Sequence, residues 1–261
     1  MGGADADEDG LPDSCELDFA RAFAPMMVTA SEGCNWDTSV EPARLGGEYL
    51  FAVQEMAINH VRIAYLPAYY RDCGWRGIKC WLPFVDCAPH DGDSEAVIID
   101  VVRGGSTSRW HVDAVFLSAH CFGRGTDCRW YRGPELDRFE WVDAPRGVPV
   151  VWVAEGRQAN YPSRSACDAG HSTIDTCDRN ATLYRFPIRS SMQNIGSRAR
   201  PRGSPGGCFS AAAVGSQSAV SAPGVEECFW SDSERFGGWQ RRDGNNGSTP
   251  YARYLVETGE F

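Results

Sequence analysis

The feature that most constrains the fold of this chain is a series of short apolar segments, each about the length of one β-strand. They are rich in β-branched and aromatic residues, and no long stretch of helical periodicity separates them. Turn residues such as Gly104-Gly105 and Asp143-Ala144-Pro145 lie between them. We predict strands over 49–54, 58–66, 95–102, 110–118, 138–142, 149–155 and 181–187. The pattern indicates a mainly β fold, an antiparallel β-sandwich with short helices and long disulfide-tied loops.

The rest of the chain predicts few further regular elements. Apolar residues three or four apart, beginning at Leu17, predict a short helix over 17–30. The stretch 196–224 is rich in Gly, Ser, Pro and Arg, which is typical of a long loop. We therefore divide the chain into an N-terminal loop, 1–16, and a single sandwich domain, 17–261.

The charge balance excludes one class of partner. The chain carries 25 Lys and Arg residues against 35 Asp and Glu residues, which gives a formal net charge of -10. Because an acidic surface repels phosphate backbones, we expect no nucleic-acid partner. The longest apolar runs, such as 148–153, are strand-sized, so we also expect no transmembrane segment.

Eleven cysteines indicate a secreted, extracellular protein, because disulfides persist in oxidising compartments. No C-x-x-C pair is present, and several neighbouring cysteines are seven or ten residues apart, which favours local disulfide loops. We predict at least four disulfides, among them Cys121–Cys128 and Cys167–Cys177, and a bridge from Cys15 to Cys34. Because eleven is an odd number, one cysteine must be left unpaired within the chain. It is either one of Cys73, Cys80 and Cys87 or a cysteine whose partner lay in a removed segment. Met1-Gly2-Gly3 lacks the features of an export signal, so we expect a trimmed, mature chain.

The N-terminal segment matches the calcium-loop pattern D-x-D-x-D-G-x5-E. Alternate carboxylates converge on a hard cation, Gly10 permits the sharp turn, and the last glutamate closes the shell with two oxygens. The predicted Ca²⁺ ligands are Asp5, Asp7, Asp9, Asp13 and Glu16. The alternative is a solvated acidic tail. The segment resembles the single aspartate-rich loops of type-3 thrombospondin-like repeats, and that resemblance implies a structural calcium.

Three further clusters could carry chemistry. In the segment His90-Asp91-Gly92-Asp93-Ser94-Glu95, alternation along a strand would place three carboxylates on one face. Their repulsion would be relieved by a divalent cation, by a shared proton or by exposure to solvent. We name His90, Asp93 and Glu95 as candidate ligands of a second cation.

The other two clusters lie on later strands. His111 and Asp113 would share a strand face, either as catalytic candidates with His90 or as ordinary surface residues. The polar turn after 149–155 and the Cys167–Cys177 loop supply hydrogen-bonding groups suited to a small ligand. The candidate ligand-binding residues are Arg157, Gln158, Asn160 and His171.

The order of these motifs resembles a known family over residues 40–195. The segment Tyr69 to Gly74, the His-Asp-Gly-Asp-x-Glu stretch, and V-A-x-G-x-x-A-x-Y-P from Val153 are similar to the vacuolar-protein-sorting-sixty-two-like family. The acidic stretch also resembles the G-H-R-H-D-W-E motif of the necrosis-inducing, Nep-like secreted proteins. The resemblance implies a β-sandwich with a divalent cation at Asp93 and Glu95. Ser94 stands where the motif has Trp, and Gln158 where the family has His.

Three functions remain open at the level of the sequence. The first is a secreted, metal-binding protein that recognises a glycan or lipid headgroup and acts in a toxin-like way. The second is a secreted, divalent-metal-dependent hydrolase in which His90 or His111 moves a proton. The third is an extracellular structural domain. No G-x-S-x-G or H-E-x-x-H motif supports the hydrolase.

Overall fold

The computed structural model describes residues 3–5, 11–29, 50–66, 68–72, 90–104, 109–119, 129–143, 147–155, 159–169, 175–177, 182–185 and 194. The helices are α1 (Asp13–Ala22), α2 (Arg164–Asp168) and a 3₁₀ helix (Gly133–Arg138). The strands are β1 (Met26–Thr29), β2 (Leu50–Ala57), β3 (His60–Leu66), β4 (Ala68–Asp72), β5 (His90–Ser94), β6 (Val97–Arg103), β7 (Trp110–Leu117), β8 (Arg129–Arg132), β9 (Trp141–Val142), β10 (Val148–Val153), β11 (Asn160–Tyr161) and β12 (Thr182–Arg185). No helix in these ranges is long and apolar enough to cross a membrane.

Two five-stranded sheets form the sandwich, as the sequence pattern predicts. The first, sheet I, has the order β11-β10-β1-β12, with β9 also paired to β10. The second, sheet II, has the order β2-β3-β6-β7-β8, and each neighbouring pair is antiparallel. Within sheet I, β1 and β10 are parallel, which requires a long connection between them. A separate antiparallel pair, β4 with β5, leads into β6.

The hydrophobic core lies between the sheets and under α1. Sheet II contributes alternate residues of its strands, such as Val61, Ile63 and Tyr65, and sheet I contributes Met27 and Val151. Ala20 of α1 is fully buried in the same core, and its carbonyl accepts a hydrogen bond of 2.9 Å from the Tyr65 hydroxyl. The opposite face of sheet II is buried as well, since Ala64 and Ile98 have no exposed surface. Burial on both faces explains the nearly continuous apolar run of β6.

Most predicted strands are confirmed. The structure has β2, β3, β6, β7, β10 and β12 within a few residues of the predicted bounds. The segment predicted as a strand over 138–142 contains the last residue of the 3₁₀ helix and the short β9.

The predicted helix over 17–30 is wrong in its second half. The helix α1 ends at Ala22, and residues Met26–Thr29 form the buried strand β1 between β10 and β12. Pro25 cannot continue a helix, and the apolar residues that follow it fit a strand in the middle of a sheet equally well.

Two cysteine predictions meet the described part of the chain. Cys167 and Cys177 form a disulfide, as predicted, and join α2 to the segment 175–177. Cys15 is an exposed free thiol on α1, although a bridge to Cys34 was predicted. Cys34 and the other predicted pair, Cys121–Cys128, lie outside the described residues.

Candidate ligand site

Three polar residues from separate parts of the chain meet at one end of the sandwich. Glu95 lies just before β6, Ser118 just after β7, and Asn160 in β11. Because β6 and β7 are antiparallel with Val97 opposite Leu117, Glu95 and Ser118 become neighbours. Hydrogen bonds from Asn160 then join sheet I to sheet II at this point. We call this region the Glu95 end.

Glu95 and Ser118 form a buried hydrogen-bonded pair. Glu95 is only 4% exposed, and Ser118 is fully buried. The Ser118 hydroxyl donates to Glu95 Oε2 and accepts a 2.6 Å hydrogen bond from the Ala96 backbone N–H. A buried carboxylate needs such donors or a cation, since burial in an apolar medium disfavours its charged form.

Asn160 presents one acceptor that the described residues leave unused. Its backbone N–H donates to the Ser118 carbonyl at 2.9 Å, and its Nδ2 donates to the Ala96 carbonyl at 3.3 Å. Because Ala96 O can only accept, the side-chain nitrogen must face it and Oδ1 must face elsewhere. Asn160 Oδ1 is buried and accepts no hydrogen bond from any described residue. An acceptor in this state favours a ligand that brings a hydroxyl, an N–H group or a cation.

A disulfide-tied segment supports this end from the far side of sheet I. The Tyr161 hydroxyl donates to Asp175 Oδ2 at 2.5 Å, and both residues are buried. The α2 helix begins after Ser163, whose hydroxyl accepts from the Ala166 N–H at 3.2 Å, a standard N-cap. Tyr161, Cys167 and Cys177 then pack with small residues in a second buried cluster. Asn160 is therefore held by a rigid backbone.

The structure describes only some of the predicted site residues near this end. Asp93 and His90 lie on β5, opposite Tyr69 and Asp72 of β4, and their side chains are outside the described part. Arg157, Gln158 and His171 also lie outside the described residues. The second-cation site thus stays a prediction, with Glu95 as its one described ligand.

The predicted catalytic candidates on β7 lie away from the Glu95 end. His111 is opposite Val102, five residues along β6 from Val97, or roughly 17 Å along the strand. The β6–β7 register shifts at Asp113, so this exposed residue is the additional residue of a bulge. His111 Nδ1 lies 3.4 Å from the Arg109 carbonyl. These two residues are not brought together with Glu95.

At the N-terminus, the described part of the predicted calcium loop has a loop-then-helix form. The Asp13 N–H donates to the Ala4 carbonyl at 2.8 Å, which brings the two ends of the loop together. Asp13 starts α1, and Glu16 in its first turn is fully buried. Asp7 and Asp9 lie outside the described residues. Within the described ranges, no three His, Cys, Asp or Glu residues are grouped closely enough to hold a metal ion.

The sequence did not single out a second polar cluster, on the face of sheet II away from the core. Arg62 binds both oxygens of Asp100, at 2.7 and 3.0 Å, and His60 Nε2 lies 3.5 Å from the same carboxylate. The guanidinium groups of Arg62 and Arg132 lie 4.8 and 4.9 Å from the centre of a Trp130 ring. The sequence shows that Arg62 and Asp100 carry opposite charges, but only the pairing of β3 with β6 places them opposite each other.

The site and fold define a β-sandwich protein with a buried polar cluster at one end. No family model matches the chain, and no curated protein does. A solved structure described as "Toxin fold for microbial attack and plant defense" is similar at 14% sequence identity and a TM-score of 0.35. The match covers 77% of this chain and 78% of the other. A likeness of this degree carries no argument about what this chain does.

Proposed function

We propose that this chain is a secreted β-sandwich protein that binds a glycan or a lipid headgroup at the Glu95 end and acts on cell surfaces in a toxin-like way. A glycan and a lipid headgroup share the chemistry that matters here, hydroxyl groups that donate hydrogen bonds to buried oxygens. The disulfide Cys167–Cys177 supports an oxidising compartment. A divalent cation held by Glu95, with His90 and Asp93 from β5, completes the proposed site.

The observation that carries the proposal is the unused acceptor Asn160 Oδ1, on a residue that hydrogen-bonds to Ala96 and Ser118 next to the buried Glu95. Glu95 accepts from the Ser118 hydroxyl, and Asn160 donates to the carbonyls of Ala96 and Ser118, two residues that adjoin the paired ends of β6 and β7. A neutral amide oxygen and a carboxylate are both ligand types found around Ca²⁺ and Mg²⁺, which supports a cation bound here together with the predicted ligands of β5. When bound, such a cation would orient the hydroxyl oxygens of a ligand.

The hydrolase alternative has less support. Ser118 provides the hydroxyl next to Glu95, but this hydroxyl is already engaged as both donor and acceptor. His111, the candidate histidine whose side chain the structure describes, lies along β7 away from Glu95. A nucleophilic hydroxyl would need a general base within hydrogen-bond reach, and His111 is not placed to provide one.

The test measures how added cations change the melting temperature, and it distinguishes binding at the Glu95 end from binding at the N-terminal loop. In a background of Asp5→Asn, which disables the loop, added Ca²⁺ or Mg²⁺ should still raise the melting temperature. Glu95→Gln in that background should abolish the rise, since the amide keeps the acceptor for Ser118 and removes the charge. A free cation concentration about 100 times the dissociation constant should stabilise the folded state by about 2.7 kcal/mol. Binding to an array of oligosaccharides, measured with the cation present, should fall with the same substitution.

The matched control is Glu55→Gln, which removes an exposed carboxylate from β2. This variant should keep both the cation response and oligosaccharide binding. Loss of the response in Glu55→Gln, or a full response in Glu95→Gln, would refute the cation site. Oligosaccharide and headgroup binding that survives Glu95→Gln would refute the ligand site as well.

A further inference from the structure

The tip of the β2–β3 hairpin exposes apolar side chains at the end of sheet II opposite to Glu95. Ile58 is 87% exposed in the turn, and Met56 just before it is 36% exposed. Asn59 follows with a φ of 64°, the left-handed conformation that asparagine tolerates in tight turns. The turn therefore holds Ile58 outward on a defined backbone. Among the described residues, only Leu183 of β12 is another large hydrophobic residue with comparable exposure.

Two arginines accompany this tip. The strand register places the end of β6 and the start of β7 beside the turn, since His60 is opposite Val102 and Arg103 opposite Trp110. The Arg103 N–H donates to the Asn59 carbonyl at 2.8 Å, which ties β6 to the hairpin turn. Arg103 and Arg109 are both exposed, and Glu55 is the exposed acidic residue on β2 nearest the tip. We call the residues 55–60, 103 and 109 the hairpin end.

We propose that the hairpin end docks on an anionic lipid surface by inserting Ile58 and Met56 between headgroups. An apolar tip with basic residues beside it is the arrangement that favours the interface of an anionic bilayer. The net charge of -10 opposes such binding for the chain as a whole, so a local basic and apolar feature must provide it.

A lipid surface fits this tip better than a protein partner does. A stable protein interface buries about 800 Å² on each side, and packs complementary surfaces. Two side chains on one turn present a small protruding wedge, which a fluid headgroup layer accommodates without a matching pocket. The inference goes beyond the proposed function, because the hairpin end and the Glu95 end lie at opposite ends of β6.

The test is co-sedimentation of the full chain with vesicles, in the presence of chelator to silence both predicted cation sites. We expect binding to vesicles of phosphatidylcholine mixed with phosphatidylserine, and weaker binding to phosphatidylcholine alone. Ile58→Ser should lower the partition coefficient about tenfold or more, and Ile58→Trp should retain binding, because apolar character and not shape is needed. Arg109→Gln should lower it about fivefold on the anionic vesicles.

Matched controls distinguish the tip from general surface properties. Leu183→Ser removes the exposed leucine of β12, and Arg138→Gln removes an exposed arginine of the 3₁₀ helix. Both should bind vesicles as the unchanged chain does, and all variants should keep the melting temperature. No binding in chelator, or equal losses in Leu183→Ser and Ile58→Ser, would overturn the inference. An Ile58→Ser variant that changes only the oligomeric state would overturn it in favour of a protein partner.

Discussion

Asp100 shows how a single residue organises one face of sheet II. Its carboxylate binds the Arg62 guanidinium through two hydrogen bonds, and both side chains are at least nine-tenths buried. Arg62 also lies over the Trp130 ring, so the ion pair connects β3, β6 and β8. In contrast, the pair Arg129–Glu135 spans 3.3 Å with both side chains about two-fifths exposed. The two pairs therefore differ in burial as well as in distance.

We expect Asp100→Asn to lower the free energy of unfolding by about 3 kcal/mol, because it removes the buried carboxylate charge that pairs with the Arg62 guanidinium through two hydrogen bonds. Glu135→Gln should change it by less than about 1 kcal/mol, because water screens the exposed pair. Urea unfolding of the two variants measures both values. The double variant Arg62→Met with Asp100→Leu should be more stable than Asp100→Asn alone, and a less stable double variant would contradict this account.

At the scale of elements, the Glu95 end depends on short segments that could not be stable alone. The strand β11 has two residues and α2 has five. They are held by the Cys167–Cys177 disulfide, by the Tyr161–Asp175 hydrogen bond and by the Glu155 N–H donating to the Thr176 carbonyl at 2.9 Å. A five-residue helix is too short to persist without such tertiary contacts.

Replacing Cys167 and Cys177 together by Ala should lower the free energy of unfolding by about 3 kcal/mol, as expected for a loop of this length. It should also weaken ligand binding at the Glu95 end, because Tyr161, the neighbour of Asn160, packs against the segment that this disulfide holds in place. Chemical unfolding and oligosaccharide binding measure the two effects. A serine substitution at exposed Cys15 is the control, and it should leave both unchanged. An unchanged unfolding free energy in the double variant would show that the bridge contributes no stability.

The whole molecule combines an acidic chain with two predicted cation sites. One is the predicted N-terminal calcium loop, whose two ends the Ala4–Asp13 hydrogen bond joins. The other is the Glu95 end. Both would bind only the folded state, so cations should act on the stability of the entire sandwich.

Excess chelator should lower the melting temperature of the full chain, because a metal that binds only the folded state stabilises it by mass action. Calorimetry with and without chelator measures the shift. Asp5→Asn should remove part of it and Asp5→Asn with Glu95→Gln should remove the remainder. The exposed Asp137→Asn, in the 3₁₀ helix, should preserve the shift in full. A melting curve that chelator leaves unchanged would contradict both sites.

Local patterns in the sequence were enough for several parts of this fold. Segments rich in β-branched and aromatic residues, with turn residues between them, predicted β2, β3, β6, β7, β10 and β12, because such residues favour strands locally. The ten-residue spacing of Cys167 and Cys177 predicted their bridge, because cysteines this close in the chain favour a local disulfide loop. Of the candidate site, the sequence named Glu95 and Asn160, since polar residues at the ends of buried strands are visible as exceptions to the apolar pattern.

The remaining features depend on pairings between distant segments. Nothing near Ser118 in the chain indicates that it donates to Glu95, and the two meet only because β6 and β7 pair with Val97 opposite Leu117. Likewise, Met26–Thr29 is apolar enough for a helix or a strand, and its place between β10 and β12 decides the matter. The sequence by itself determined where β2, β3, β6, β7, β10 and β12 form, because their β-branched and aromatic residues favour a strand locally. The tertiary structure decided which strands are neighbours, and therefore which polar groups share a buried site, because burial and hydrogen bonding depend on contacts between residues far apart in the chain.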